Sequence, residues 1–269
     1  MKYALVNGIR TVATEGEIGF CPICGSKMVA HCGPIRIHHW KHEKRSSCDP
    51  WWENETEWHR SWKNHFPTKW QEVIQYADDG EKHIADVKTE QDWVIEFQHS
   101  NLKPEERRLR DAFYPKLIWV VDGMRRQRDK KQFQNIIERS LRINCIPTDH
   151  NKIYNLFFEL REVRYPDECR LLAEWQSSTS LVFFDFHEPD SNLWFLLPEI
   201  SNFTAYLMSI SKKEFIDYHQ DGRFEKLYNE QISQIRSMLI QPKQKTKPTF
   251  VPRNNVLSNR KLRRRNRRL

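Results

Sequence analysis

The sequence predicts a mixed α/β fold in which a central sheet is flanked by helices. Between residues 53 and 145, segments follow one another in the order helix, strand, hairpin, helix, strand, helix. This order is typical of a sheet with helices packed on its faces. Residues 116–123 have the sequence KLIWVVDG, and such an apolar run, closed by glycine, indicates a central strand buried on both sides.

Length and composition predict a soluble, cytoplasmic protein. The chain has 269 residues, 38% of them hydrophobic, which is enough for one large domain or two ordinary ones. No apolar run approaches the roughly 18 residues of a membrane span, and the N-terminal apolar run is too short for a signal peptide. Without a secretory signal, the six cysteines favour reduced thiols and metal ligation over disulfides.

Residues 1–52 are predicted to form a zinc-binding segment, because cysteines and histidines are concentrated there. Cys21 and Cys24 have the spacing that presents two thiolates from one tight turn, and tetrahedral Zn²⁺ needs two further ligands. We expect His42 and Cys48 to supply them, with His39 as the alternative to either. A structural zinc would fold a segment that is too poor in apolar residues to fold alone. The competing interpretation is a turn with free thiols and surface histidines.

Residues 55–66 are predicted to form a helix, since they lack Gly and Pro and end before Pro67. Glu55, His59 and Lys63 recur every fourth residue and would lie on one stripe of that helix. Trp52, Trp62 and Phe66 would form a neighbouring apolar stripe. A plain surface row of ion pairs is the alternative interpretation.

The next segment predicts a β-hairpin with facing carboxylates. Residues 84–87 and 94–98 are β-rich runs on either side of a polar connection. If the hairpin centres on Gln91, Asp86 lies opposite Glu96, and Gln98 shares the face of Glu96. Facing carboxylates repel unless a cation lies between them, and Mg²⁺ is held by carboxylates, water and substrate phosphate oxygens. The pattern therefore indicates metal-assisted phosphodiester hydrolysis, and the alternative is a solvated hairpin face.

Helices are also predicted at residues 104–114 and 129–141, the second with Phe133, Ile136, Ile137 and Leu141 on one face. Residues 146–241 are predicted to form an additional C-terminal α+β module of unknown role. Its strands would be residues 181–186 and 192–197, joined by a loop at 188–191, with helix between 215 and 239. Asp185 and His187 are expected to be structural.

The last segment, residues 242–269, has a different composition from the rest. Residues 241–269 hold 11 Lys and Arg and no acid, so the net charge of +8 arises there and the remainder of the chain is close to neutral. We expect this tail to be disordered until it binds a polyanion, for which nucleic acid is the natural candidate. A solubilising tail is the alternative. The predicted nucleic-acid-binding residues are Arg260, Lys261, Arg263, Arg264, Arg265, Arg267 and Arg268.

Taken in order, these motifs resemble a known family. Glu-Thr-x-x-His-x-x-x-Lys at 55–63, His-Ile-Ala-Asp-Val at 83–87 and Ile-Glu-Phe-Gln-x-Ser at 95–100 are similar to the competence-protein CoiA-like family, a branch of the PD-(D/E)xK nuclease superfamily. Cys-Pro-x-Cys at 21–24 and His-Trp-Lys-His at 39–42 resemble the zinc-finger segment that precedes the nuclease in such proteins. The resemblance covers roughly residues 10–140, about half of the chain.

The resemblance implies a restriction-endonuclease-like core at residues 53–145 and roles for its residues. Asp86 and Glu96 would hold Mg²⁺ or Mn²⁺, Gln98 would occupy the position of the superfamily's lysine, and Glu55 would be the helical acid near the metal. Because Gln is not a cation, Lys63 or His59 would supply the missing positive or proton-transferring group.

The expected function is a metal-dependent DNA endonuclease in DNA uptake, recombination or phage defence. The alternative is a degenerate nuclease fold that binds DNA for recombination during competence. Recombination or defence proteins are the expected partners, and self-association is left open, as is the choice between DNA and RNA.

Overall fold

A computed structural model describes residues 1–44, 48–51, 55–143, 156–157, 159–187, 192–198 and 203–240. The strands in these ranges form two sheets, an N-terminal one and a larger one that carries most of the chain. Trp52, the loop at 188–191 and the basic tail, with Arg260, Lys261, Arg263, Arg264, Arg265, Arg267 and Arg268, lie outside the described residues.

The N-terminal sheet is antiparallel, with described strands in the order β2-β1-β3-β4-β5. Its strands are β1 (Tyr3–Val6), β2 (Ile9–Val12), β3 (Ile18–Phe20), β4 (Lys27–His31) and β5 (His39–His42). The buried indole of Trp40 packs over Gly19, where an added Cβ would lie only 3.2 Å from the ring and 2.9 Å from Ala4 Cβ. Only glycine permits so close an approach between the strands and the ring. Met28 and Ala4 complete this small core.

The larger sheet and its helices follow in chain order. They are α1 (Glu57–Asn64), β6 (Gln71–Tyr76), β7 (Lys82–Lys88), β8 (Val94–Gln98), α2 (Pro104–Phe113), β9 (Leu117–Asp122), α3 (Asp129–Arg139), β10 (Leu141–Arg142), β11 (Glu159–Arg164), α4 (Arg170–Trp175), β12 (Leu181–Asp185), β13 (Asn192–Leu196), β14 (Thr204–Ser211), α5 (Lys212–Gln220) and α6 (Phe224–Ile240).

Described strands of this sheet lie in the order β10-β11-β14-β13-β12-β9-β8-β7-β6. Strands β8, β9 and β12 are parallel neighbours, and the other pairs are antiparallel. Helices α1, α5 and α6 pack on one face, and α2, α3 and α4 pack on the other. The predicted mixed α/β sheet flanked by helices is confirmed in this form, and all six residues of β9 are buried, as the apolar run predicted.

The region assigned to an additional C-terminal module joins the same sheet. Strand β12 pairs in parallel with β9, with Asp185 beside Asp122, so the sheet continues across the predicted boundary at residue 145. The prediction of β12 and β13 as strands was correct. The sequence did not show that β12 pairs with β9, because strand pairing depends on contacts between residues that are far apart in the chain.

Three helix boundaries differ from the predictions. Helix α1 begins at Glu57, because the Thr56 hydroxyl accepts a hydrogen bond from the N–H of His59 and caps the helix, so Glu55 precedes the helix. Helix α3 ends at Arg139, and Leu141 lies exposed in β10. The helix expected between residues 215 and 239 is divided into α5 and α6. Among the described helices, none combines the length and apolar character of a membrane span.

Candidate active site and metal centre

A small cleft opens where β7 and β8 separate. Their ladder pairs Lys88 with Val94 and Val87 with Ile95. At the next position, the N–H of Asp86 donates to Glu96 Oε1 at 3.2 Å, and the N–H of Phe97 donates to Asp86 Oδ2 at 3.0 Å. Carboxylates thus replace the backbone partners of these two donors. The two acids face each other in the gap, as a hairpin centred on Gln91 predicts.

Glu96 is the more buried of the two acids. Burial, with Asp86 opposite, raises its pKa well above the usual range. Arg110, a buried side chain of α2, opposes this shift, with Nη1 3.6 Å from Glu96 Oε2. The metal-free cleft therefore favours the neutral form of Glu96, since two adjacent carboxylates out of water repel each other.

Lys63 brings a positive charge to the cleft from α1. Its buried Nζ lies 2.7 Å from Glu55 Oε1, 2.9 Å from Glu72 Oε1 and 3.6 Å from Asp86 Oδ1. Burial alone would lower the pKa of Lys63, but these three carboxylates raise it above its usual value. The side chain is therefore an ammonium at neutral pH.

Glu55 is held by two cations beside the cleft. Besides Lys63, it accepts hydrogen bonds from Arg60, which donates from Nε at 2.9 Å and from Nη2 at 2.6 Å. Burial raises the pKa of Glu55, but Arg60 and Lys63 outweigh it and hold that pKa well below the usual range. Glu55 is thus ionised. Its contact with Asp86 runs through the ammonium of Lys63.

Glu72 and Arg110 are site residues that sequence reasoning missed. Glu72 has a positive φ of 46°, and its carboxylate accepts the N–H groups of Lys2 at 2.7 Å and Tyr3 at 3.1 Å besides binding Lys63. Burial opposes its ionisation, but Lys63 lowers its pKa. No sequence signal marks a strand residue with such a backbone. Arg110 could have been found from its three-residue spacing to Arg107. That spacing places both arginines on one face of α2, where both are buried.

His59 and Gln98 also line the cleft. His59 Nδ1 lies 3.0 Å from the Thr56 hydroxyl, and Gln98 Nε2 donates to the carbonyl of Ser100 at 3.2 Å and to its hydroxyl at 3.3 Å. The cavity volume is about 70 Å³, which suits an ion with a few water molecules. The structure thus gathers the six catalytic candidates, Glu55, His59, Lys63, Asp86, Glu96 and Gln98, around one cavity.

A second site lies in the N-terminal segment, where the β4–β5 hairpin brings His42 beside the Cys21–Cys24 turn. Cys21 Sγ and Cys48 Sγ are 3.7 Å apart, and His42 Nε2 lies 3.4 Å from both Cys24 Sγ and Cys48 Sγ. All four ligand atoms lie within 4.8 Å of one another. A tetrahedron with Zn–S bonds of about 2.3 Å and Zn–N of about 2.0 Å places ligands about 3.5–3.8 Å apart. The cluster could therefore hold a structural zinc.

The chemistry of the cluster agrees with its geometry. The hydrogen bond with Cys48 lowers the pKa of Cys21 to about 4, so that one sulfur is a thiolate, which is the form that binds zinc. His39, the alternative ligand, lies elsewhere and stacks on His31 with ring centroids 5.3 Å apart. The structure therefore groups His42 and Cys48, not His39, with the Cys21 and Cys24 pair.

The Cys/His cluster is connected to the cleft by Asp49, which follows Cys48 directly. Asp49 Oδ1 lies 2.9 Å from His83 Nδ1, and its Oδ2 accepts the N–H of Ile84 at 3.0 Å. Both partners belong to β7, the strand that carries Asp86. Order in the cluster is therefore linked to the position of a cleft carboxylate.

Comparison with known proteins adds no family to these observations. No protein-family model, no curated protein and no solved structure matches the chain. The fold and the two sites are therefore interpreted from their own geometry.

Proposed function

We propose that the chain is a metal-dependent nuclease of the PD-(D/E)xK type that hydrolyses phosphodiester bonds in DNA. The observation that supports this most is that Asp86 and Glu96 face each other where β7 and β8 separate. The buried ammonium of Lys63 lies 3.6 Å from Asp86 Oδ1. The similarity of residues 55–63, 83–87 and 95–100 to the CoiA-like nucleases supports the same proposal.

Asp86 and Glu96 would hold Mg²⁺ or Mn²⁺, because paired carboxylate oxygens in a small cavity are ligands that these ions accept. The ion would supply an activated water and offset charge on the scissile phosphate. Lys63 adds a fixed positive charge for the developing oxyanion, and Glu55 and Glu72 keep that lysine charged and oriented. Gln98 would hydrogen-bond the water or a phosphate oxygen, and His59 would exchange a proton at the cavity wall.

We further propose that Cys21, Cys24, His42 and Cys48 bind a structural zinc. In that role the zinc would fix the N-terminal sheet against β7 through Asp49. The basic residues of the tail, from Arg260 to Arg268, would bind DNA phosphates.

A second candidate function is DNA binding without cleavage, in support of recombination during competence. It is favoured by Lys63, whose ammonium pairs with Glu55, Glu72 and Asp86. In this function the ion pairs of Lys63 would hold the shape of the cleft.

The deciding experiment incubates the purified chain with linear, circular, single-stranded and branched DNA, and with RNA, in Mg²⁺, Mn²⁺ or EDTA. We expect cleavage that needs a divalent ion and disappears in Asp86→Asn. The matched control is Asp92→Asn, which changes an exposed acid in the turn of the same hairpin and keeps a residue type that tolerates its φ of 65°. If the wild-type chain cuts no substrate but binds DNA, the binding function replaces the nuclease, and cleavage that persists in EDTA overturns the metal mechanism.

A further inference from the structure

A pair of histidines lies at the carboxyl edge of the three parallel strands, outside the cleft of Asp86 and Glu96. Strands β8, β9 and β12 end side by side, with Gln98 beside Val121 and Asp122 beside Asp185. Ligands of open α/β sheets bind outside this edge. The pair consists of His99, which follows β8, and His187, which follows β12.

One buried carboxylate holds both rings. Asp122 Oδ2 lies 2.6 Å from His99 Nδ1, and Asp122 Oδ1 lies 2.8 Å from His187 Nε2. The Asp122 side chain is 1% exposed, whereas those of His99 and His187 are 40% and 37% exposed. Within the described residues, no hydrogen bond is found to the second nitrogen of either ring, so each histidine in its protonated form can present one N–H group to a ligand.

The surroundings fix the position of His187. Its φ is +60°, a left-handed conformation that few residues other than Gly adopt, and such a backbone persists where the surrounding structure imposes it. The N–H of His187 donates to Asp185 Oδ1 at 2.9 Å. Asp185 Oδ2 in turn accepts the indole N–H groups of Trp58 and Trp62 at 2.9 and 2.8 Å. Trp58 also stacks on the His187 ring, with centroids 5.8 Å apart and planes 18° from parallel.

The loop after β9 is equally constrained. The N–H of Gly123 donates to the carbonyl of Asp185 at 2.8 Å, and a Cβ at Gly123 would lie 2.4 Å from the ring of Phe186. Only glycine fits there, so Asp122 is held firmly beside the loop that carries His187.

In their protonated form, the two rings would suit an anionic ligand. Asp122 raises the pKa of His187 against the effect of burial, Asp185 adds to that rise, and Lys212 opposes it. Lys212 Nζ itself lies 3.8 Å from Asp185 Oδ2. The two aspartates are buried, so among these groups the imidazoles are the most exposed to solvent.

The pair is continuous with the cleft. The ring centroids of His99 and His59 are 6.2 Å apart, and His59 lines the cleft together with Gln98, the residue before His99. Imidazoles therefore extend from the cavity of Asp86 and Glu96 to the edge of the sheet.

We propose that His99 and His187, oriented by Asp122, bind a backbone phosphate of the nucleic-acid strand next to the phosphate in the cleft. This inference rests on the proposed function for its ligand class, a phosphodiester. The site would position the strand and would take no part in bond cleavage.

The test measures binding of single-stranded and duplex deoxyoligonucleotides to the 269-residue chain without added Mg²⁺ or Mn²⁺, where the proposed nuclease is inactive. Each oligonucleotide of a series carries one neutral methylphosphonate at a different position. For wild-type protein we expect one position, besides that at the cleft, to weaken binding about tenfold, which corresponds to one hydrogen bond to a charged group. In His99→Gln/His187→Gln that position should lose its effect, while His31→Gln, an exposed histidine of the N-terminal sheet, should behave as wild type.

The proposal is overturned if every sensitive position stays sensitive in the double histidine variant, or if that variant binds as tightly as wild type. Competition by inorganic phosphate tests the source of the bound phosphate group. If phosphate displaces DNA equally well from the wild type and from the double histidine variant, the proposal is also overturned. Cleavage in Mg²⁺ is scored separately on the wild-type chain. Histidine-dependent binding without cleavage refutes the nuclease and retains this site, and cleavage without a histidine-dependent position does the reverse.

Discussion

The N–H of Asp86 lies 3.2 Å from Oε1 of Glu96, at the point where β7 and β8 part. Glu96 therefore has two roles. It accepts the hydrogen bond of a backbone N–H group of β7, and it faces the carboxylate of Asp86. An alanine at this position would remove both contributions at once. A substitution that retains an acceptor oxygen separates the charge from the hydrogen bond.

We accordingly expect Glu96→Gln to abolish metal-dependent cleavage while the fold is retained. Loss of a metal ligand costs several kcal/mol of transition-state stabilisation, or a rate at least about 100-fold lower. Because the folded-state pKa of Glu96 is raised, its ionisation destabilises the metal-free wild type as pH rises above about 4.3. In EDTA at pH 7, the variant should thus have the higher free energy of unfolding in urea, and an equally stable wild type would contradict the shifted pKa.

Lys63→Met should destabilise the fold strongly. It leaves Glu55 and Glu72 buried without their shared cation, and breaking one side of a buried ion pair costs about 3–5 kcal/mol. Addition of Glu72→Gln should recover part of this loss, because one uncompensated charge is removed. Urea unfolding measures both, with Lys69→Met, a lysine in an exposed pair with Glu90, as the control that should change little. Equal stability of the Lys63 and Lys69 variants would show that the buried cluster does not depend on its cation.

Tag-free protein should contain about one zinc per chain, and Cys21→Ser/Cys24→Ser should contain almost none, because two of four ligands are removed. The control is Cys32→Ser, a cysteine outside the four-residue cluster. Metal analysis and thermal unfolding with and without chelator provide the measurements. Well-folded wild-type protein without zinc would exclude the structural role.

Stability should fall in mild acid because of His219 in α5. This side chain is buried, its Nδ1 lies 2.6 Å from the carbonyl of Phe215, and its ring stacks on Phe224. Burial lowers the pKa of His219 to about 4, so its contribution is complete above the unfolded value of about 6.5 and is lost as pH falls towards 4. The wild type should lose about 3 kcal/mol over that interval relative to His219→Phe, which cannot titrate. Parallel stability curves for the two proteins in urea between these pH values would refute the assignment.

Removal of residues 242–269 should weaken DNA binding about equally for all sequences, because phosphate contacts carry no base information. The slope of log affinity against log salt concentration should fall by about 0.9 for each phosphate of duplex DNA that the shortened protein no longer neutralises. Binding titrations over a range of salt concentrations test this. An unchanged slope would assign the tail to solubility, and weaker binding to one sequence alone would mean that the tail reads bases.

Local pattern was sufficient wherever short-range chemistry decides the outcome. A two-residue side-chain period and a turn at Gln91 placed Asp86 opposite Glu96, and the spacing of Cys21 and Cys24 predicted one half of the metal cluster. Helix α1 was located within about two residues, because Pro67 and the absence of glycine limit it. Its start at Glu57 depended on which of two adjacent residues caps the helix, and the Thr56 hydroxyl does so.

What the sequence by itself determined is therefore the set of chemical groups and their local order: the facing acids, the stripe with Lys63, the Cys/His segment and the basic tail. The tertiary structure alone decided which distant groups meet. Strand β12 pairs with β9, Glu72 reaches Lys63 with a left-handed backbone, and Asp122 joins His99 to His187 across 88 residues of chain. Such contacts arise from the pairing of strands far apart in sequence, and no local periodicity encodes the partner of a strand that is buried on both faces.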